Sequence, residues 1–154
     1  MRFTVIVLAF LAIFMAPNFF RSEWQTPAQA ETMEERPRLV AAMFRSSWCG
    51  ACRILEPRVD DVREDYQDAA VEFIRFDFTL GRRAGLRERA EEAGISEVFL
   101  ELEGRTGFML LIDRDTGQVF EAVTTDHNRD NIRAALDRWL AVTAASAAAL
   151  PDGD

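Results

Sequence analysis

Lysine is absent from this sequence: all 18 basic residues are arginine. We read that as residue usage, because arginine replaces lysine everywhere and not at one patch. Positive charge is also in deficit, 18 basic against 26 acidic side chains for a net charge of -8. A chain so acidic lacks the basic footprint that nucleic acid demands. Histidine occurs once, as His127, and cysteine twice, as Cys49 and Cys52. A structural zinc site needs about four ligands of these types, so one cannot be completed in the usual way. There are no internal repeats, no phosphate-cradling glycine loop and no Ser-His-Asp set. His127, next to Asp126 near an expected helix start, suits a surface or capping role.

What is present is concentrated in Trp48-Cys49-Gly50-Ala51-Cys52. Residues 38–44 before it form an apolar run suited to a buried strand, and residues 53–66 after it carry apolar residues at helical spacing. A strand, a C-x-x-C and a helix are the parts of a thiol–disulfide redox site. Residues three apart at a helix start share a face and lie close enough to form a disulfide. The free N–H groups and the dipole of that helix end favour a thiolate at Cys49, which is the nucleophilic form. Cys52, one turn in, is expected to be more buried and to resolve a mixed disulfide. An inert disulfide or pair of core thiols, and a metal half-site, are the other readings of the pair.

The match extends beyond the cysteines. Pro57 falls five residues after Cys52, Glu64-Asp65-Tyr66-Gln67 closes the helix, Asp115-Thr116-Gly117-Gln118-Val119 forms a late hairpin turn, and residues 131–140 read as a last helix. Together these resemble the thioredoxin superfamily over roughly residues 38–142. The resemblance implies an α/β thioredoxin-like three-layer fold, a central mixed sheet flanked by helices. It implies Cys49 and Cys52 as catalytic residues and redox-active disulfide, no cofactor, and no resident metal. It implies a substrate groove built from Trp48, Gly50, Ala51, Thr106 and Gly107.

Two departures accompany the resemblance. Met43 stands six residues before Cys49, where many relatives carry a buried Asp that assists proton transfer at the second cysteine. Water, Glu56 or Asp77 would then take that part, although both carboxylates read first as solvated surface. Gly107 stands where relatives carry a cis-proline that shapes the groove and keeps metals off the cysteines. About ten extra residues precede it: residues 96–107 form an insertion in which Val98, Leu100 and Leu102 alternate with Glu101 and Glu103, the pattern of a short strand.

At the N-terminus, Arg2, an apolar run over residues 3–16 and Ala28-Gln29-Ala30 read as a signal peptide cleaved before Glu31. Phe19 and Phe20 extend the run over residues 3–20, so an uncleaved membrane anchor is the alternative. No twin-arginine pair precedes the run, which favours the Sec route. The expected organisation is a signal or anchor (1–30), a charged linker (31–37), the thioredoxin-like domain (38–142) and an alanine-rich tail (143–154) that could prolong the last helix. Within the domain, strands are expected at 39–44, 71–78, 108–113 and 118–124, and helices at 53–66, 82–93 and 130–142.

The expectation is therefore a redox enzyme of the periplasm, soluble or held to the inner membrane by residues 3–20. It would exchange thiols and disulfides on exported proteins, in the reducing direction, and draw electrons from an external redox partner protein. Membrane contact would come only through the anchor. Two other classes stay open: a thioredoxin-like binding or chaperone module with a non-catalytic disulfide, and a copper or other metal handler using both thiolates.

Overall fold

Seven residues of low polarity, Leu39–Arg45, form β1, the strand on which the sheet is built. The computed structural model describes residues 36–80 and 82–148. The signal or anchor call, including residues 3–20, and almost all of the 31–37 linker lie outside these. β1 is buried along both faces, as a near-continuous apolar run should be. It pairs in parallel with β2 (Val71–Asp77), in register from Leu39↔Val71 to Arg45↔Asp77. On its other side it pairs antiparallel with β3 (Phe108–Asp113), from Leu39↔Asp113 to Phe44↔Phe108. β4 (Val119–Val123) completes a four-stranded mixed sheet of order β2-β1-β3-β4.

A parallel pair needs a crossover, and α1 (Gly50–Glu64) supplies it between β1 and β2. Alternation along β1 then divides the core. Leu39, Ala41 and Met43 pack with Leu55, Val59 and Val62 of α1 and with Ile132 and Leu136 of α4 (Arg129–Ala148). Val40, Ala42 and Phe44 pack on the opposite face with Leu86 and Ala90 of α2 (Leu86–Glu92) and Phe99 of α3 (Ser96–Leu102). Helices on both sides of a mixed sheet make the three-layer architecture expected from the sequence.

Most elements fall within a few residues of their expected positions. One does not. Residues 96–102, expected as a short strand, are the helix α3. Their buried side, Ile95, Phe99 and half-buried Leu102, has helical spacing, while Leu100, which completed the apparent alternation, is exposed. α1 runs continuously through Pro57, and α4 runs on into the alanine-rich stretch as far as Ala148. Among the described residues no helix is long and apolar enough to cross a membrane.

Candidate active site

Cys49 is the N-cap of α1: its backbone is extended (φ -76°, ψ 113°) and the helix begins at Gly50. It thus sits just outside the first turn. Cys49 and Cys52 are joined by a disulfide with Cα atoms 5.2 Å apart. Cys49 Sγ accepts the Cys52 N–H at 3.1 Å, the geometry by which an N-cap side chain satisfies an orphan donor. The same N–H would stabilise a thiolate at Cys49 once the bond is reduced. The two residues differ in exposure, with Cys49 9% exposed and Cys52 1%. Cys52 Sγ lies 3.9 Å from the carbonyl oxygen of Phe44.

Around the pair, Trp48 is 53% exposed, Gly50 is exposed and Ala51 is half-buried. The segment before β3 crosses directly over them. Gly107 has φ +105°, and a Cβ placed on it would lie 3.0 Å from the Ala51 Cβ and 3.4 Å from Cys49 Sγ. A proline cannot take that φ, and an L side chain would be strained there. Gly107 also uses the N–H that a proline lacks, donating it to the Phe44 carbonyl at 2.9 Å. The described residues contain no cis peptide bond. Thr106 is half-buried on the approach to this contact. Gly107 thus meets Cys49 and Ala51, and Trp48 and Gly50 flank that contact along the chain.

Glu56 and Asp77 are not the solvated carboxylates expected. The β1–β2 register places Arg45 beside Asp77, and α1 brings Glu56 against Arg45. Arg45 Nη1 meets Asp77 at 2.7 Å and its Nε meets Glu56 at 2.8 Å, with side chains only 15–20% exposed. Burial alone would push the Asp77 carboxyl up. The Thr79 hydroxyl and N–H, together with Arg45, outweigh it and hold Asp77 below the usual carboxylate range. Thr79 also accepts the Ser47 N–H at 2.9 Å, so the network reaches the loop just ahead of Trp48. Glu56 stands one turn beyond Cys52 on α1. This ion-paired brace escaped the sequence reading because its members come together only through strand register and helix docking.

On the other flank, Arg58 of α1 donates to the carbonyls of Thr125 and His127, both at 2.8 Å, and pins the turn between β4 and α4. His127 Nδ1 accepts the Thr124 N–H at 3.2 Å, which gives this histidine a turn-bracing role. Among the described residues no three His, Cys, Asp or Glu side chains converge as metal ligands. Chemically, the arrangement supports one cysteine at a helix N-terminus, the more exposed of the two, and a second, more deeply buried, able to displace a partner from it.

The family model for thioredoxin matches residues 22–95. Thioredoxin H8 from Arabidopsis thaliana is 30% identical over 56 residues, which cover 36% of this chain and 35% of that protein. The chain thus matches about a third of the length of that curated relative. Among solved structures, the oxidised thioredoxin of Plasmodium falciparum superposes with a TM-score of 0.43 at 14% identity, covering 73% of this chain and 91% of the other. The thioredoxin of Fasciola hepatica gives 0.41 at 17% identity, covering 72% and 89%.

Proposed function

We propose that the chain is a thioredoxin-like thiol–disulfide oxidoreductase that reduces disulfides in exported proteins through Cys49 and Cys52, a reading supported by the thioredoxin family model over residues 22–95 and by the cysteine pair. The observation that carries the reading is the asymmetry of the two sulfurs at the start of α1. Cys49, the more accessible, caps the helix where N–H groups favour an anion. Cys52 is shut in behind it.

In the reducing direction the Cys49 thiolate attacks one sulfur of the substrate disulfide and expels the other as a thiolate, which takes up a proton. Cys52, losing its own proton, then attacks Cys49 and releases the second substrate sulfur. The substrate has gained two electrons and the chain carries a Cys49–Cys52 disulfide. A dithiol partner protein returns the two electrons, since no further cysteine in the chain can relay them. Trp48, Gly50, Ala51, Thr106 and Gly107 form the groove in which a peptide lies during the attack. Work outside the cytoplasm is supported by Arg2, the apolar run and Ala28-Gln29-Ala30.

The direct test is reduction of a protein disulfide by the reduced chain, and in a separate labelling experiment at mildly acidic pH Cys49 should be alkylated before Cys52. Prior labelling of Cys52 would reverse the roles, and no turnover with wild-type protein would remove the enzymatic reading. A C-terminal phosphatase fusion, active only after export, tests location separately.

A further inference from the structure

The Phe44 carbonyl faces two groups that belong to different parts of the site. Gly107 N–H donates to it at 2.9 Å, and Cys52 Sγ lies 3.9 Å away. In the disulfide that sulfur carries no proton, so the oxygen serves backbone N–H groups alone: that of Gly107 and, through the Phe44↔Phe108 pairing of the ladder, those on that side of β3. Reduction changes this. A dithiol partner gives up two electrons and two protons and becomes a disulfide, the Cys49–Cys52 bond breaks, and Cys52 acquires an S–H. A buried S–H seeks an acceptor. The Phe44 oxygen is the one already in place, and the Cys49 thiolate is its competitor.

We propose that the Phe44 carbonyl is a shared acceptor through which the redox state of Cys52 controls the hold on the Gly107 loop. This rests on the cysteine pair cycling between dithiol and disulfide. With backbone donors alone the carbonyl holds Gly107 firmly. With a thiol also drawing on the same oxygen, each bond weakens and the loop over Cys49 loosens. Because the coupling is reciprocal, a substrate that tightens the loop onto Phe44 makes the Cys52 proton easier to lose when Cys52 must attack. The device requires an N–H at position 107, and glycine supplies it where proline would not.

Amide hydrogen exchange at Gly107 reads the coupling without any turnover. The internal reference is the Arg114 N–H, which donates to Arg38 at the far end of the same ladder at 2.8 Å. In wild-type protein, reduction should lower Gly107 protection by between about twofold and tenfold, the span of a fraction of one hydrogen bond, and leave Arg114 unchanged. Two disulfide-free variants isolate the S–H from every other effect of reduction. Cys49→Ala keeps the Cys52 thiol, and Cys49→Ala/Cys52→Ala removes it. Gly107 should exchange faster in the single variant than in the double. Equal exchange in the two overturns the shared acceptor. Running the protein-disulfide assay on wild type in parallel separates the claims: an active enzyme with equal Gly107 exchange sinks the coupling alone. An inactive enzyme with unequal exchange sinks the proposed activity and leaves the coupling standing.

Discussion

The two faces of the sheet are packed by different means. On the face that carries the cysteines, β1 contributes Ala41 and Met43, β3 contributes Met109 and Leu111, and the cover is two long helices, α1 and α4. On the other face the covering helices have seven residues each, too few to hold themselves together in water. Phenylalanine takes over there. The rings of Phe44, Phe76, Phe78, Phe99 and Phe108 form one cluster with centroid separations of 4.8–6.3 Å. The chemistry thus lies on the face held by long helices, and the aromatic face acts as its support. Stability and exchange should be separable by mutation.

The sharpest break comes from Cys49→Ser. Loss of the attacking sulfur should lower protein-disulfide reduction by more than about a thousandfold. The unfolding midpoint should match that of the reduced wild-type chain, because Cys49 packs at the edge of its cluster. A large loss of stability would mean that the cysteine face is structural as well. Phe99→Ala is the converse. It removes a fully buried ring of the aromatic cluster and should cost about 3–5 kcal/mol in denaturant titration. The reduction potential of the surviving folded protein should stay at its wild-type value, and a shifted potential would show the faces to be coupled.

Gly107→Pro probes the contact between loop and cysteines. Its φ of +105° and its bond to Phe44 exclude proline, so the variant should lose more than about 1 kcal/mol. Its exchange rate should fall further with a peptide disulfide than with a small-molecule disulfide, which needs only the sulfur. Equal losses would remove the Thr106–Gly107 segment from the substrate groove.

The smallest effect is expected at the far end of the sheet. Burial would push the Asp113 carboxyl up, but hydrogen bonds from Arg38 and from the Thr116 and Asp115 N–H groups hold it below the ordinary range. A depressed carboxyl stabilises the fold fully above its unfolded pKa of about 4 and loses that contribution as pH falls through its folded value. Asp113→Asn should therefore cost about 1 kcal/mol at pH 7, a figure reduced because Arg38 is partly solvated. The gap from wild type should close in acid. A gap independent of pH would show that the cost is one of shape and not of charge.

The cysteine site was legible because its parts are consecutive: a strand, a capping cysteine and a helix occupy one unbroken stretch, and sequence spacing gives their geometry directly. β1 was legible for a similar reason, since a strand buried on both faces has no polar alternation to hide it. α3 was not, because a seven-residue segment offers too few positions to separate period 2 from period 3.6, and exposed Leu100 completed the wrong pattern. The Arg45 brace was out of reach for another reason. Asp77 is 32 residues from Arg45, and the register that joins them is a property of the folded sheet. The glycine at 107 could be seen in the sequence, but its N–H bond to Phe44 needed the β1–β3 ladder to be in place.

The covalent ring at the active site has a further consequence for the chain as a polymer. The bond between Cys49 and Cys52 spans a separation of three residues. Chain-entropy arguments credit so small a ring with about 2 kcal/mol, against about 4.5 kcal/mol for a crosslink between positions as distant as Leu39 and Asp113. Those two are already held together by the antiparallel ladder without any covalent tie. The long closures of this fold are all noncovalent, and the one covalent closure is among the shortest a chain can make. The bond can therefore open and close while the topology of the chain stays as it was.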